Sequence, residues 1–239
     1  LVEIYQAAVA AVAAGPALTR ALQHDPTIDD RVWLIALGKA AQPMAEAAVR
    51  VLAERHLQGY PGRTPAGGLI VAPLDTFTPH PSLAVIVGDH PVPGAGSLAA
   101  ADALDRLVKV IPPGDTVWVL LSGGTTSLIG APQPGIAPHE LKALYGQLLR
   151  SGLDIKEMNR VRKRFTRWGA GRLARGLEHT HVHCYIISDV IGDDLAAIGS
   201  GPCVPDTSTA QDVRDALVRE GDRDHSDRRR SHERVERME

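Results

Sequence analysis

Five short runs of apolar residues, separated by stretches with helical character, dominate the pattern of the chain. The runs are Val32–Leu37, Gly68–Ala72, Leu83–Val87, Thr116–Leu121 and Val182–Ser188. Each run is continuous rather than alternating between apolar and polar positions, which is typical of strands covered on both faces. Alternation of such strands with helices predicts an α/β fold with a doubly wound, mostly parallel sheet.

Helical spacing and helix-forming composition mark the segments between the strands. They predict helices at Ala40–Arg55, Gly96–Val110, Pro138–Ser151, Ile155–Leu177 and Thr209–Glu220, the last with candidate caps at Thr207 to Thr209. Leu1, Ile4 and Val12 share a helical face with their apolar neighbours. The first residues are therefore predicted to form an amphipathic helix rather than a signal core.

The end of the chain differs in composition. Between Asp222 and Glu239, Val235 and Met238 are the only apolar residues, so this segment lacks the means to bury a core. We expect a large α/β domain over residues 1–221 and a disordered or aberrant tail over residues 222–239. An interrupted reading frame is the preferred explanation of the tail, and a charged interaction tail is the alternative.

Composition narrows the classes of function. The 239 residues are 44% hydrophobic with a formal net charge of −2, which argues against a partner such as nucleic acid or an anionic membrane surface. No apolar stretch reaches the roughly 20 residues of a membrane-spanning helix. Cys184 and Cys203 form neither a metal framework nor a disulfide scaffold, which fits ordinary thiols in a reducing cytoplasm.

Distinctive polar segments follow four of the predicted strands. They are Gly38-Lys39, Gly88–Pro93 with His90, Ser122–Ser127, and Ser188–Asp194. The carboxyl ends of parallel strands lie at one edge of a sheet, where open α/β folds bind ligands. We therefore expect these remote segments to meet in one site.

The glycine-rich segment and Lys39 are the strongest candidates for binding an anion. Backbone N–H groups and hydroxyls can cradle phosphate or carboxylate if a helix begins near the end of the segment Ser122, Gly123, Gly124, Thr125, Thr126, Ser127. A tight turn with a helix cap is the alternative. It is not a Walker loop, because no Gly-Lys-Ser/Thr follows. Lys39 either supplies a point charge or reaches into solvent at the sheet edge.

Further candidates come from charged residues. Asp189 and Asp193 suit a Mg²⁺ ion bound together with phosphate, and turn and helix-cap chemistry is the alternative. The basic stretch Lys156–Arg175 fits a phosphate clamp, a nucleic-acid-binding helix or a solvated helix face. His90 is a candidate general base or a turn residue. The turn-rich loop around Gly201 either redirects the chain or forms a wall of the site.

These motifs together resemble the glycerate 2-kinase family, whose members are often labelled hydroxypyruvate reductase. The resemblance runs from near Leu1 to about Gly221. It rests on Gly38-Lys39-Ala40-Ala41 with Met44, GDHPVPGAGS (88–97), LLSGGTTSLI (120–129), SGLDIKEMNRVRKRFTRWGAGRLA (151–174) and SDVIGDDLAAIGSGPCVPD (188–206).

The resemblance implies ATP-dependent phosphorylation of D-glycerate to 2-phosphoglycerate with Mg²⁺, in a cleft between a Rossmann-like three-layer α/β/α domain and a smaller C-terminal domain that this chain lacks. It implies that Lys39 is catalytic and that residues 122–127 form the glycine-rich loop. It also matches a binding pattern to Glu157, Asn159, Arg162 and Lys163. Thr125, Thr126 and Cys203 depart from the usual family residues.

Three alternatives remain open. An NAD(P)-dependent hydroxypyruvate reductase would need G-x-G-x-x-G after the first strand, where only Gly38 is present. The chain could instead be a non-catalytic truncated domain, or, more remotely, a basic-helix nucleic-acid binder. The expected partners are D-glycerate and a nucleotide, with no nucleic acid and no membrane. The sequence leaves the oligomeric state undecided, with a homodimer as the candidate.

Overall fold

A five-stranded, fully parallel sheet forms the centre of the fold in the computed structural model of the chain, which describes residues 12–24, 31–57, 64–215 and 217–218, with residue 2. The strands follow the order β3-β2-β1-β4-β5. Their bounds are β1 Val32–Leu37, β2 Gly67–Ala72, β3 Leu83–Val87, β4 Thr116–Ser122 and β5 His181–Ile187. All five predicted strands are therefore present, each within one residue of the expected bounds.

The central strands are covered on both faces. Every residue of β2 and β4 is buried, and so is all of β1 except the half-buried Trp33. The edge strands β3 and β5 are only partly covered. Continuous apolar runs mark the sheet because both faces of a strand must be apolar when helices cover both.

Helices pack on both faces and complete three layers. One face is covered by α1 and α2, whose side chains share a core cluster with Leu34, Ala36 and Trp118. The other face is covered by α3 and α7 around Ile35, Leu37 and Val119. The helix bounds are α1 Ala14–Gln23, α2 Ala41–Leu57, α3 Ala95–Val110, α4 Thr125–Leu128, α5 Pro138–Arg150, α6 Ile155–Phe165 and α7 Arg172–Gly176. The predicted doubly wound α/β/α sandwich is thus confirmed.

The strand order reverses between β1 and β4. The chain leaves β1 through α2 to reach β2 on one side, while β3 returns through α3 on the opposite face to β4 on the other side. Such a reversal opens a crevice at the carboxyl ends of the two central strands. The crevice lies beside the turns that begin at Gly38 and Gly123.

The predicted helix Ile155–Leu177 is wrong, because the chain forms two helices there, α6 and α7. Between them Ala170 and Gly171 adopt left-handed backbone conformations, with φ of 57° and 75°. Trp168 is only 6% exposed, and its indole N–H donates to the Ala101 carbonyl at 3.1 Å. Burial of this large ring against α3 outweighs the helical spacing of the surrounding residues.

A smaller core lies under α5 and α6. Leu148, Leu153 and Val161 pack there with Val213, which belongs to a helical segment that begins at residue 210. Thr209 Oγ1 accepts from the Asp212 N–H at 3.1 Å, and the Asp212 carboxylate accepts from the Thr209 N–H at 2.6 Å. This reciprocal cap confirms Thr209 as the expected start of the helix.

Two expectations fall outside the described residues, namely the amphipathic helix at the start of the chain and the tail over residues 222–239. In the described part, no helix has the length and apolar character needed to cross a bilayer. Cys184 and Cys203 are both free thiols and both half-buried.

We expect Trp168→Ala to lower the free energy of unfolding by about 3–5 kcal/mol, because it leaves a cavity where the buried indole packs between α6 and α7. Trp168→Phe should cost much less. Urea denaturation followed by circular dichroism measures both. Phe77→Ala is the control, since Phe77 is 67% exposed; an equal loss for Phe77 and Trp168 would contradict this account of the break.

Candidate active site

The turns that follow β1 and β4 are joined by direct backbone contacts. The Lys39 N–H donates to the Gly123 carbonyl, and the Ala40 N–H donates to Ser122 Oγ, each at 2.9 Å. Gly38 has a φ of +120°, and a Cβ there would overlap Ser122. Only glycine permits so close an approach, so the side chain of Lys39 is directed beside the glycine-rich loop.

The sheet edge formed by these two turns is called the rim below. It also carries groups from two further segments of the chain. A Cβ on Gly123 would overlap the carboxylate of Asp189, which follows β5. A Cβ on Gly124 would lie 3.2 Å from Lys39 Cγ and 3.3 Å from the His90 ring. An ammonium, an imidazole and a carboxylate from three distant parts of the sequence therefore surround the two glycines.

Two of the four hydroxyls of the glycine-rich loop bond within the loop itself. Thr125 Oγ1 donates to the Ser122 carbonyl at 2.9 Å, and Ser127 Oγ donates to the Gly124 carbonyl at 3.1 Å. Thr126 Oγ1 lies 2.9 Å from Ser200 Oγ. The helix expected near Ser127 begins at Thr125. The N–H groups of Ser127 and Leu128 both donate to the Gly124 carbonyl, so those of Thr125 and Thr126, which have no partner among the described residues, are left to meet an anion.

Arg162 is a buried cation in α6. It is 7% exposed, and its guanidinium carbon lies 4.8 Å from the centre of the Tyr145 ring. Nη2 donates to the Met158 sulfur at 3.8 Å, while Nε has no hydrogen-bond partner among the described residues. Burial lowers the pKa of Arg162. A buried charge without a carboxylate is costly, which favours an anionic ligand as its missing partner.

His90 is electrostatically linked to both cations. Its pKa is lowered below the ordinary value of 6.5, first by partial loss of solvent around the ring, then by the positive charges of Lys39 and Arg162. The imidazole is therefore neutral at pH 7, the form in which a histidine accepts a proton. The charge of Arg162, a residue of α6, therefore lowers the pKa of a side chain at the rim.

Other candidate residues of α6 turn away from the rim. Asn159 donates to the Ala197 carbonyl at 3.2 Å, and Lys163 Nζ lies 2.7 Å from an Asp206 oxygen in a buried ion pair. The Gly201 carbonyl accepts from the Gly171 N–H at 2.7 Å. Their contacts join α6 to the loop over residues 196–206. Glu157 lies in the first turn of α6, with its N–H bound to the Asp154 carboxylate.

The two proposed metal ligands differ in setting. The Asp189 carboxylate lies against Gly123 at the rim, whereas Asp193 occupies an exposed turn with φ of 51°. Within the described ranges, no three potential ligand side chains cluster as a metal site. Mg²⁺ in phosphoryl-transfer sites needs only one or two carboxylates beside phosphate oxygens. Asp189 fits that requirement by position.

Two contributors were not foreseen. Tyr145 is fully buried, and its hydroxyl donates to the Thr126 carbonyl at 3.3 Å while its ring supports Arg162. Ser200 is also fully buried, with a φ of 66°. Tyr145 follows the apolar spacing of α5 like any core residue, so nothing in the sequence indicates that it contacts the site. Ser200 lay in a loop already noted as turn-rich.

The fold and the rim define an open α/β protein with a ligand crevice at the strand-order reversal. The chain belongs to the family described as "Domain of unknown function (DUF4147)", whose model matches residues 1–231.

Characterised relatives carry kinase names. The chain is 37% identical over 192 residues to the D-glycerate 2-kinase of Thermotoga maritima, which covers 80% of this chain and 44% of that protein. It is 33% identical over 239 residues to the glycerate kinase of Homo sapiens, covering 92% and 45%. A crystal structure of the Thermotoga maritima glycerate kinase superposes with a TM-score of 0.74 at 32% identity, over 92% of this chain and 53% of that one.

Another relative, from Agrobacterium vitis, is named a putative hydroxypyruvate reductase; it is 35% identical over 79% of this chain and 47% of its own length. The resemblance expected from the motifs is thus confirmed. The chain spans less than half the length of these curated relatives.

We expect Lys39→Met to raise the pKa of His90, because it removes one of the two positive charges that oppose protonation of the ring. Loss of solvent around the ring contributes most, so the pKa should still stay below 6.5. An NMR titration of the His90 ring protons measures the change. Arg50→Met, at an exposed position in the middle of α2, is the control. An unchanged His90 pKa in Lys39→Met would show that the two side chains do not meet.

Proposed function

We propose that the rim is the site of ATP-dependent phosphorylation of D-glycerate to 2-phosphoglycerate. The observation that carries the proposal is the packing of Lys39 against Gly124 at the strand-order reversal, with the buried charge of Arg162 nearby. Two cations and a glycine-rich turn form a setting suited to the phosphates and carboxylate of this reaction. The names of the relatives support the same chemistry.

Lys39 would stabilise the phosphoryl group during transfer. Phosphoryl transfer depends on positioning and charge neutralisation more than on covalent chemistry. The exposed ammonium of Lys39 is anchored through its own backbone, since its N–H is bound to Gly123. Its charge is therefore available at the rim while its main chain stays fixed.

The glycine-rich loop and Arg162 would bind the anionic groups of the substrates. The N–H groups of Thr125 and Thr126 at the start of α4 would bind a phosphate or the carboxylate of glycerate. Arg162 would pair with a second anionic group, which would relieve the cost of burying its charge. Asn159 and Lys163 would act by holding α6 against the loop over residues 196–206, given their contacts with Ala197 and Asp206.

His90 would accept the proton of the glycerate 2-hydroxyl. The lowered pKa keeps the imidazole unprotonated at neutral pH, as a general base requires. Asp189, with Asp193 as a second candidate, would hold Mg²⁺, which neutralises charge on the phosphates when bound. Glu157 and Gly201 stay candidates for lining the cleft.

A hydroxypyruvate reductase is the second candidate, because two relatives from Agrobacterium vitis are named putative hydroxypyruvate reductases. Such an enzyme would consume a reduced nicotinamide cofactor with hydroxypyruvate. Following the nicotinamide absorbance band during turnover, beside ³¹P NMR of a reaction with ATP and D-glycerate, separates the two activities. Formation of 2-phosphoglycerate supports the kinase; nicotinamide oxidation without it would replace the kinase proposal.

Lys39→Ala should reduce the turnover number for D-glycerate by at least ~100-fold, by comparison with the loss of a single charge-stabilising donor. The measurement is ADP release coupled to a spectrophotometric assay, with equal thermal stability of the two proteins as the check on folding. Arg50→Ala, at an exposed position in the middle of α2, should leave turnover unchanged. Equal turnover of wild type and Lys39→Ala would remove Lys39 from the mechanism.

Gly123→Ala should abolish most turnover, because its methyl group would displace the Asp189 carboxylate from the rim. Gly146→Ala is a matched control within α5, where the nearest atom to a new methyl group is 3.4 Å away. That control should keep full turnover and gain about 0.5–1 kcal/mol of stability. Retention of turnover by Gly123→Ala would place the chemistry elsewhere.

A further inference from the structure

A cavity of about 650 Å³ lies beside α7, in a part of the molecule that the proposed kinase site does not use. Its walls come from α7, the end of α6 and the loop over residues 203–206. None of Lys39, His90, Gly123 and Asp189 is among its lining residues. The volume falls within the range of about 300–1,000 Å³ that is usual for small-molecule sites.

The lining is strongly basic. Arg164, Arg172 and Arg175 face the cavity, against one carboxylate, that of Asp206. That carboxylate is already shared between Lys163 at 2.7 Å and Arg164 at 3.1 Å. Three arginines therefore line the cavity beside a single lining carboxylate, which Lys163 also uses.

Arg172 is fixed in place without a carboxylate of its own. Its Nε donates to the Arg167 carbonyl at 3.1 Å, and Nη2 donates to the Thr166 carbonyl at 2.6 Å and to the Lys163 carbonyl. Burial lowers the pKa of Arg172, the nearby Asp206 carboxylate raises it, and the charges of Arg164 and Arg175 lower it. Carbonyl oxygens orient the guanidinium, and the carboxylate that acts on its charge, that of Asp206, is shared with Lys163 and Arg164.

The remaining wall is mostly apolar and small, with Gln133 and Cys203 as its polar members. Ala170, Ala174, Val204 and Pro205 line it, which leaves space for a carbon skeleton beside the arginines. Guanidinium groups bind phosphate through paired, charge-assisted hydrogen bonds, and a phosphate monoester carries a charge near −2 at neutral pH. A single carboxylate would neutralise less of the positive charge of the arginines.

We propose that the cavity binds a small phosphate monoester, held by Arg164, Arg172 and Arg175. This site is separate from the rim and does not depend on the kinase proposal. Binding is measurable without any turnover, so failure of one proposal leaves the other standing.

Isothermal titration of glycerol 2-phosphate and of inorganic phosphate, with acetate as the carboxylate comparison, tests the site. The titration is made on the Lys39→Ala protein, which removes one of the two competing cations of the rim. We expect saturable binding of the phosphates and weaker binding of acetate. Arg175→Gln in that background should weaken phosphate binding about 10-fold, as expected for the loss of one charge-assisted contact.

Two further variants separate a shaped site from general attraction between charges. Ala174→Phe fills the cavity without changing the charge and should abolish binding, with the melting temperature as the check on folding. Arg50→Gln removes one positive charge on the opposite face of the sheet and should bind like its parent. Absence of saturable binding, equal weakening by Arg50→Gln and Arg175→Gln, or full binding by a folded Ala174→Phe protein would each overturn the proposal.

Discussion

Where β1 and β4 end side by side, the Ser122 hydroxyl accepts the Ala40 N–H while the Gly123 carbonyl accepts the Lys39 N–H. These two hydrogen bonds join the turns of neighbouring strands, and the missing side chain of Gly38 gives them room. The bonds run from one turn to the other, so neither turn can move alone. The position of Lys39, and with it the proposed chemistry, depends on this junction.

The charge of Arg162 connects α6 to the residues around this junction. Arg162 lies in α6, but its charge lowers the pKa of His90 on the loop after β3. Tyr145 links the two regions physically, since its ring faces the guanidinium and its hydroxyl bonds to the glycine-rich loop. A substrate anion that neutralised Arg162 would therefore also raise the basicity of His90, which couples substrate binding to the readiness of the proposed base.

The sheet could be predicted from sequence because each strand is an apolar run whose neighbours are unmistakably polar. The convergence of Lys39, His90, Gly123 and Asp189 followed from one rule, that parallel strands end at a common edge. The break within the predicted helix Ile155–Leu177 could not be predicted the same way. It depends on the burial of Trp168 against α3, a contact between residues 67 apart in sequence.

For a related reason, the sequence could not show which basic residues of the stretch Lys156–Arg175 are free to bind a ligand. Spacing places Arg162 and Lys163 next to each other, yet the structure gives them opposite surroundings. Lys163 meets Asp206 and is neutralised, whereas Arg162 meets an aromatic ring and a thioether. Which cation stays available for a ligand is decided by where distant acidic residues fall in space, and for Arg162 no such residue lies in hydrogen-bond reach among those described. The demand for an external anion is therefore a property of the packed structure rather than of the local motif.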